Sequence, residues 1–465
     1  MSLVFEQLLA QELGDASYLI GDDSARVAAV VDPQVDVEQY VELARKHGLS
    51  IRYVVQTHIH EDFLSGAVAL AEAAGGAEVC VGGHDAPRYG YPHRLVREGE
   101  VLELGSVLLT VRHTPGHTPE HISLLVSKAA QTDAPFAVLS GGSLLVDAAG
   151  RTDLLGPDRE DELTRAQFHT LHDFYLGLAD GVLVYPTHVH GSPCGAAIGD
   201  KLCSSIGYER LHNPLLQHRD EQSFRQAALS NLPPKPGYYP RLKERNTSSP
   251  PRATGPASIP ALPPSEFKKA LEASNAALVD TRHMLAFGGG HIKGAMNIGA
   301  SGHLSIQAGW MLDADKELLL VLESDGQLAQ VLKDFARTGF NRFAGYLAGS
   351  MTAWASGGHE IETLAQLHVQ DLAARLSHPG ERSILDVRSP QEWEKGHVPG
   401  ARHLFLPDLP GALDTLDKRK PLAVYCDTGY RASLAASLLQ AHGFDAANVP
   451  GSWAAWKACD LPIDQ

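Results

Sequence analysis

The sequence is short of cysteine, of positive charge and of long apolar runs. Its five cysteines are odd in number and widely spaced along 465 residues, which fits free thiols in a reducing compartment better than a disulfide framework. Lys and Arg number 39 against 55 Asp and Glu, and the net charge of −16 argues against nucleic acid and anionic membrane surfaces as partners. No apolar run approaches the roughly 18 residues of a membrane span. Because the start also lacks a basic leader, we expect a cytoplasmic protein.

The length and composition predict several folded domains. Apolar residues make up 44% of the chain, which is enough for well-packed cores, and 465 residues suggest about three domains. Leu232–Pro264 is rich in proline and has almost no apolar periodicity, so residues 232–262 are predicted to be a semi-extended linker. An α/β domain is expected before this segment, over residues 1–231.

An internal repeat follows the proline-rich segment. Asp280-Thr281-Arg282 and the run from Gly290 to Ala295 match Asp386-Val387-Arg388 and the run from Gly396 to Ala401 at an offset of 106 residues. The sequence therefore predicts two tandem domains of the same fold, over residues 263–362 and 363–465.

Cys426 has a setting that favours a nucleophile. It follows the apolar run Leu422–Tyr425 and precedes a helix predicted over residues 432–442. A loop between a strand and a helix directs backbone N–H groups and the positive helix end into one concave space, which binds anions. A cysteine in that space is expected to be a thiolate. The loop that would bind substrate consists of Asp427, Thr428, Gly429 and Tyr430, and it ends at Arg431.

Residues 365–465 resemble the rhodanese sulfurtransferase domain. The resemblance rests on the ordered motifs from Leu385 to Pro390, from Gly396 to Ala401, the Cys426 loop, and Gly451-Ser452-Trp453. It implies that Cys426 carries sulfane sulfur as a persulfide, and that Arg431 and the loop amides stabilise the anionic sulfur. In the preceding repeat, Leu322 and Gln327 stand opposite Cys426 and Arg431, so that repeat is expected to be a non-catalytic spacer or docking domain.

Three histidine-rich turns precede the linker. A predicted strand over residues 51–56 ends at a turn containing His58, His60 and Asp62. The second turn spans 113–121 and contains His117, and the third spans 186–195 and contains His188 and Cys194. Alternate residues of an extended chain point the same way, so three such turns predict a metal site at one edge of a sheet sandwich.

This part of the chain resembles the metallo-β-lactamase fold, an αββα sandwich, and within it the persulfide dioxygenases. The runs from Gly150 to Asp153 and from Ser204 to Arg210 support that branch. The whole chain resembles bacterial fusions of such a domain to two rhodanese domains, the first of which lacks its cysteine. The resemblance implies one Fe(II), held by His58, His117 and an aspartate, which activates O₂ to oxidise a persulfide to sulfite.

The sequence departs from that family at two positions. Gly142 stands where the family has the aspartate ligand, and Phe63 replaces the second-metal histidine of hydrolase members. Two interpretations of the site remain open. Either the iron site is impaired and the domain only shapes a persulfide pocket, or a shifted ligand restores the site; the candidates are His60, Asp62 and His188.

The predicted function is sulfur transfer in sulfide and persulfide metabolism. The sulfur donor is expected to be a low-molecular-weight persulfide such as glutathione persulfide. The expected acceptor is sulfite, cyanide or a thiol, and transfer to sulfite would form thiosulfate. Cys194 is either a sulfur relay or a small buried residue. The alternatives are a fully active iron dioxygenase, a zinc-dependent thioester hydrolase and a non-catalytic sulfur carrier or scaffold. The sequence is compatible with either a monomer or a homo-oligomer.

Overall fold

The computed structural model describes residues 3–248, 250, 259–300, 303–376 and 382–465. The chain divides into two compact units, Met1–Gly255 with Ala336–Gly339, and Pro256–Phe335 with Phe340–Gln465. All five cysteines are free thiols. In the described part of the chain, no helix has both the length and the apolar character needed to cross a bilayer.

The first unit contains two six-stranded sheets. Its strands are β1 (Leu3–Ala10), β2 (Asp15–Asp22), β3 (Val27–Val31), β4 (Ser50–Gln56), β5 (Glu78–Gly82), β6 (Arg94–Val96), β7 (Val101–Leu104), β8 (Val107–His113), β9 (Ile122–Lys128), β10 (Ala137–Gly141), β11 (Leu144–Leu145), β12 (Ala148–Ala149), β13 (Leu183–Pro186) and β14 (Ser204–Ser205). The first sheet runs β1-β2-β3-β4-β5-β6 and the second β14-β13-β10-β9-β8-β7, while β11 and β12 form a hairpin.

Helices cover the outer faces of both sheets. They are α1 (Glu38–Lys46), α2 (Ala67–Ala73), α3 (Pro157–His169), α4 (Ile206–His212), α5 (Glu221–Ala228) and α6 (Tyr239–Ser248). One core lies between the sheets, a second joins the first sheet to α1 and α2, and a third joins β9, β10 and β13 to the helical segments after β12. These layers are the predicted αββα sandwich, which is confirmed.

Helix α6 lies inside the segment predicted as a semi-extended linker. Tyr239, Leu242 and Asn246 are buried on one of its faces. The prolines at positions 233, 234 and 236 precede this helix, and Pro240 lies in its first turn, where proline is tolerated because the first N–H groups have no partner within the helix. Residues 239–248 therefore fold as a helix of the first unit, and residues 249 and 251–258 of the predicted linker lie outside the described residues.

The second unit contains two sheets of the same topology. The first has the order β15-β19-β18-β16-β17 and the second β20-β24-β23-β21-β22, and all their strand pairs are parallel. The strands are β15 (Ala261–Leu262), β16 (Ala277–Asp280), β17 (Met296–Asn297), β18 (Leu318–Val321), β19 (Phe343–Leu347), β20 (Ala365–Gln366), β21 (Ser383–Asp386), β22 (Arg402–His403), β23 (Leu422–Tyr425) and β24 (Ala446–Asn448). The internal sequence repeat thus corresponds to two copies of the same fold.

The helices of the second unit complete the two repeats. They are α7 (Pro264–Ala273), α8 (Met284–Gly289), α9 (Leu304–Met311), α10 (Leu328–Arg337), α11 (Ser350–Ser356), α12 (Val369–Arg375), α13 (Pro390–Glu394), α14 (Leu409–Ala412), α15 (Tyr430–Ala441) and α16 (Ser452–Ala458). One apolar core runs through both repeats. Asn297 of the first repeat accepts a hydrogen bond from Ser433 Oγ at 2.6 Å and donates its N–H to Ser437 Oγ at 3.0 Å, so α15 is bonded to the preceding repeat.

Each repeat contains the same buried ion-pair clamp. Arg388 donates two bonds to Asp386, at 3.0 and 2.6 Å, and a third to the Gly396 carbonyl at 2.8 Å. Arg282 makes the corresponding bonds to Asp280 at 3.0 and 2.6 Å. Both arginines are largely buried, so their partners must satisfy donors that have lost water. The clamp ties the end of the second strand of each repeat to the loop that follows.

We predict that Arg388→Met destabilises the C-terminal repeat by about 3–5 kcal/mol, because it leaves the buried Asp386 carboxylate without its counter-charge. Arg419→Met is the matched control, since Arg419 bonds Asp417 at the same spacing but its side chain is 89% exposed. The control should change the free energy of unfolding by less than about 1 kcal/mol. Urea denaturation followed by tryptophan fluorescence measures both, and equal losses would contradict the assignment.

Candidate metal centre and candidate sulfur-transfer loop

The three histidine-rich turns meet at one point. His58 follows β4, His117 follows β8 and His188 follows β13, and all three are buried. Their ring centroids are 4.9 Å apart for His58 and His117, 5.3 Å for His58 and His188, and 5.4 Å for His117 and His188. One ring nitrogen from each lies within 4.8 Å of the other two. Three imidazoles at this spacing form a donor set suited to a divalent transition metal.

Hydrogen bonds on the outer nitrogens orient two of these rings. Thr57 Oγ1 donates its proton to Asp32 at 2.7 Å and therefore accepts a bond from His58 Nδ1 at 2.9 Å. His117 Nδ1 donates to the Arg151 carbonyl at 2.8 Å. In both rings Nε2 is consequently left unprotonated. An imidazole whose outer N–H is bonded and whose inner nitrogen is free is the ligand form of histidine.

His188 is held by two carboxylates. Its Nδ1 lies 2.8 Å from Asp15 and 3.1 Å from Asp62, and its Nε2 lies 3.3 Å from His58 Nε2. Burial opposes protonation of His188, but Cys194, Asp62 and Asp15 outweigh it and raise its pKa. The proton that His188 and His58 share lies between two potential donor atoms, so a bound metal would displace that proton.

The rings around His188 are held neutral. Burial, followed by the neighbouring imidazoles, lowers the pKa of His58 well below its ordinary value and that of His117 to about 3. Burial likewise lowers the pKa of His121. Burial alone would raise the pKa of Asp62, yet His188 outweighs it and the pKa falls, so this carboxylate is ionised. The negative charge of the site therefore lies behind His188 and not among the direct donors.

Gly142 lies against the imidazoles. A Cβ at this position would collide with the His117 ring and lie 3.1 Å from His58 Cε1. The Gly142 N–H donates to His121 Nε2 at 2.9 Å, and this bond occupies the nitrogen of His121 that faces Gly142. The predicted carboxylate position is thus beside the histidine cluster, and the His117 ring takes up part of the space that a side chain would need.

His60 and Asp62 lie to one side of this cluster. His60 Nε2 is 3.1 Å from Asp32, and the Phe63 ring stacks on the His60 ring at 4.2 Å. His60 belongs to two further groups of possible metal donors. Asp32, His58 and His60 form one group, and His60, Asp62 and His188 form the other. Asp32 also accepts hydrogen bonds from Thr57 and Thr187, so the oxygens of this carboxylate are already engaged.

Cys194 is buried, as expected if it is a small buried residue. Only 1% of the residue is exposed, and its Sγ lies 3.5 Å from Asp62 Oδ2 and 3.5 Å from the Tyr239 hydroxyl. Burial and the Asp62 charge raise the pKa of its thiol. The thiol is close to the metal donors but reaches no solvent in this conformation.

Helix α6 supplies residues to the site that the sequence reasoning missed. Asn246 donates to the carbonyls of His60 and Phe63, each at 2.8 Å, and accepts the Ser65 N–H at 2.9 Å. One buried side chain thus satisfies three backbone groups of the turn that contains His58 and His60. The spacing of Tyr239, Leu242 and Asn246 is that of one helix face, and this pattern could have revealed α6.

The Cys426 loop has the predicted strand–loop–helix form. Cys426 follows β23 directly, and α15 begins at Tyr430, two residues before its predicted start. The Gly429 N–H donates to Cys426 Sγ at 3.1 Å, and Gly429 has a φ of +111°, which a side chain would strain. Gly429 is the one amide donor among the hydrogen bonds described for this sulfur, whereas the sequence predicted that several loop amides stabilise it.

The first repeat covers this loop. A Cβ on Gly429 would lie 2.9 Å from Met284 Sδ, and the His283 ring meets Tyr430 edge-on at 5.4 Å. In the first repeat Leu322 follows β18 as Cys426 follows β23, and that loop has neither a thiol nor a cation.

Arg431 is bonded to a glutamate and not to the sulfur. Its two terminal nitrogens donate to Glu392, each at 2.7 Å. Burial would raise the pKa of Glu392, but the bonds from Arg431 outweigh it and lower the pKa to about 2. Arg431 therefore places its positive charge at the start of α15, directly after the loop, and holds it there through Glu392.

The folds and the two sites define the class of protein: a metallo-β-lactamase sandwich with a histidine cluster, followed by tandem rhodanese-like domains. The family model of the metallo-beta-lactamase superfamily matches residues 12–128, and that of the rhodanese-like domain matches residues 263–357 and 368–459. A hydroxyacylglutathione hydrolase of Polaromonas sp. is 33% identical over 219 residues, which cover 45% of this chain and 78% of the relative. The chain belongs to the metallo-beta-lactamase superfamily.

Other relatives define the branch more closely. The mitochondrial persulfide dioxygenase ETHE1 of Bos taurus is 26% identical over 219 residues, which cover 47% of this chain and 77% of the relative. The crystal structure of a metallo-beta-lactamase from Staphylococcus aureus superimposes on this chain with a TM-score of 0.67 and 29% sequence identity. The match covers 75% of this chain and 99% of the Staphylococcus aureus chain. The protein is thus a fusion of an N-terminal domain homologous to ETHE1 and two rhodanese-like domains, as the sequence predicted.

We predict that Asn246→Leu weakens metal binding by the first unit about 10–100-fold, because the turn containing His58 loses three bonds that fix it. The affinity is measured by anaerobic titration with Co²⁺, whose absorption reports its coordination.

Asn213→Leu is the matched control for this variant. Asn213 is equally buried and also makes three side-chain bonds, to the Ala148 carbonyl, Glu209 and the Leu215 N–H, none of which involves a metal-site turn. It should lower thermal stability without a comparable loss of Co²⁺ affinity. Equal effects of the two variants would show that Asn246 acts on general stability alone.

Proposed function

We propose that this protein transfers sulfane sulfur through a persulfide on Cys426, taking it from a low-molecular-weight persulfide such as glutathione persulfide. The observation that carries the proposal is the position of the Cys426 thiol at the start of the loop between β23 and α15, with the Gly429 amide at 3.1 Å and Arg431 as the second residue of α15. Homology to persulfide dioxygenase and rhodanese domains supports sulfur metabolism as the setting. Asp427, Thr428, Gly429 and Tyr430 form the rim that receives the donor.

The transfer proceeds in two displacement steps. The Cys426 thiolate attacks the outer sulfur of the donor; a new S–S bond forms, the donor S–S bond breaks, and the electron pair leaves on the donor thiolate. When thiosulfate is the donor, sulfite leaves instead. The acceptor, which is sulfite, cyanide or a thiol, then attacks the outer sulfur of the Cys426 persulfide and regenerates the thiolate. The Gly429 amide stabilises the anionic sulfur in both steps.

We further propose that the chain comprises a metallo-β-lactamase-fold domain over residues 1–231, a linker over 232–262, and rhodanese-like domains over 263–362 and 363–465. The extent of the family matches supports the two later domains, whereas helix α6 supports moving the first boundary to include residue 248. The domain over 263–362 has no nucleophile on its loop, and we assign it a docking role that rests on its bonds to α15.

A second activity, oxidation of persulfide to sulfite, is favoured by the histidine cluster. His58 and His117 are the predicted ligands, and we propose His188 as the shifted third ligand in place of the absent carboxylate. His58, His117 and His188 would hold an Fe(II) ion, and that ion would supply O₂ activation. Asp15 and Asp62 lie against the outer nitrogen of His188, which makes that ring a stronger donor, and the ionised Asp62 returns negative charge to the site.

The other candidate functions have weaker support. A two-zinc thioester hydrolase needs a carboxylate at position 142 and a histidine at position 63, and the chain has Gly142 and Phe63 there. An impaired domain that only shapes a persulfide pocket requires that His188 not bind metal. A non-catalytic carrier requires that Cys426 accept sulfur without turnover. Cys194 serves as a sulfur relay only if Tyr239 or Asp62 moves to expose its sulfur.

We predict that Cys426→Ser abolishes transfer of sulfur from thiosulfate to cyanide, by a factor of at least about 10³, because a serine hydroxyl is not ionised at neutral pH and cannot carry sulfane sulfur. Thiocyanate formation measures the activity, and circular dichroism checks the fold. Cys459→Ser removes another thiol of the same domain and should leave the rate unchanged. Residual thiocyanate formation by the Cys426 variant near the wild-type rate would disprove the proposal.

We predict about one iron per chain after anaerobic Fe(II) loading and desalting, and O₂ uptake on addition of glutathione persulfide. His188→Ala should lower iron affinity ~10–100-fold or more, since it removes a direct donor. His190→Ala changes an exposed histidine two positions away and should retain the iron. If the two variants retain iron equally, His188 is not a ligand; if the wild type retains none, the impaired interpretation holds.

A further inference from the structure

The two rhodanese-like repeats provide an internal comparison between structural and functional residues. The clamp of Asp386 and Arg388 recurs as Asp280 and Arg282, with the same bond lengths. Both repeats also have the same sheet order. This buried clamp is therefore present in both copies, including the copy without a thiol.

A second ion pair occurs in only one copy. At the offset of 106 residues that aligns the clamps, Glu392 corresponds to Ala286, and at the offset of 104 that aligns β23 with β18, Arg431 corresponds to Gln327. The copy that lost the thiol thus lacks both members of the pair. A pair needed only for folding would be expected in both copies, as the clamp is.

The geometry connects this pair to the Cys426 loop. Arg431 is the second residue of α15, immediately after the loop, and both of its terminal nitrogens are bonded to Glu392. Glu392 is itself fixed, because its Oε2 accepts the Ser389 N–H at 2.9 Å in the capping box that begins α13. About a quarter to a third of each side chain is exposed, 27% for Arg431 and 32% for Glu392, so the pair lies at the surface of the site.

We propose that Glu392 is a positioning residue that holds the Arg431 guanidinium at the rim of the Cys426 loop, where its charge attracts the anionic end of the sulfur donor. This inference rests on the proposed sulfur transfer. A bidentate carboxylate fixes both the position and the plane of a guanidinium, whereas an unpaired arginine samples many rotamers. Donors with a sulfonate or carboxylate group therefore meet a cation that is already in place.

The test uses the full chain and compares Glu392→Gln with Glu394→Gln. The first substitution keeps the size of the side chain and an oxygen for the Ser389 N–H, but it removes the charge and the second acceptor for Arg431. Glu394 lies on the same helix and is exposed, so its variant makes the same chemical change away from the loop. We expect Glu392→Gln to raise KM for thiosulfate about tenfold with kcat within about twofold, and Glu394→Gln to change neither.

A binding measurement separates this inference from the proposed function. Thiosulfate is titrated calorimetrically into Cys426→Ser, alone and combined with Glu392→Gln, so that no turnover is required. About tenfold weaker binding by the double variant, at an unchanged thermal midpoint, supports the inference.

Equal binding of thiosulfate by the two proteins overturns the inference, as does an absence of thiosulfate binding to Cys426→Ser. A loss of binding that accompanies a lowered thermal midpoint also overturns it, because Glu392 would then act through the helix cap. Failure of wild-type thiocyanate formation, measured separately, counts against the sulfurtransferase proposal only.

Discussion

Both candidate sites depend on one constraint: each buried polar group must form a hydrogen bond or an ion pair. A ring nitrogen or carboxylate that has left water must find a partner, and the partner then decides where the group points. The outer nitrogens of His58, His117 and His188 bond Thr57, the Arg151 carbonyl and Asp15, and these bonds turn the inner nitrogens toward one another. The same requirement explains Asn246, whose side chain satisfies three backbone groups of the turn beside them.

The loss of a carboxylate at position 142 shows how charge can move within such a site. The family ligand would place a negative charge among the imidazoles, and here the ionised Asp62 places its charge behind His188, against the outer nitrogen of that ring. The set of direct donors becomes neutral, while the site as a whole keeps its counter-charge. A metal bound by three imidazoles is thereby compatible with a glycine at this position, provided that His188 gives up the proton it shares with His58.

Much of this arrangement was predictable from the sequence, for physical reasons. The histidine turns follow strands whose apolar residues are evident, and parallel or neighbouring strand ends meet at one sheet edge, so the convergence of His58, His117 and His188 followed from the pattern. The repeat of Asp-x-Arg and Gly-His motifs predicted two copies of one fold. Helix α6 was missed because its prolines were taken as a linker signal, although most of them precede the helix and Pro240 lies in its first turn.

The amino-acid order alone determined the residue types of both sites, the absence of a thiol from the first repeat, and the glycine at position 142. These are properties of single positions and of short-range spacing. Tertiary structure alone decided that Glu392 pairs with Arg431, that Asp15 and Asp62 face His188, and that Cys194 is buried against Tyr239. Those contacts join residues far apart in the chain, and no local periodicity encodes them, because they arise only when the packing of sheets and helices brings distant turns together.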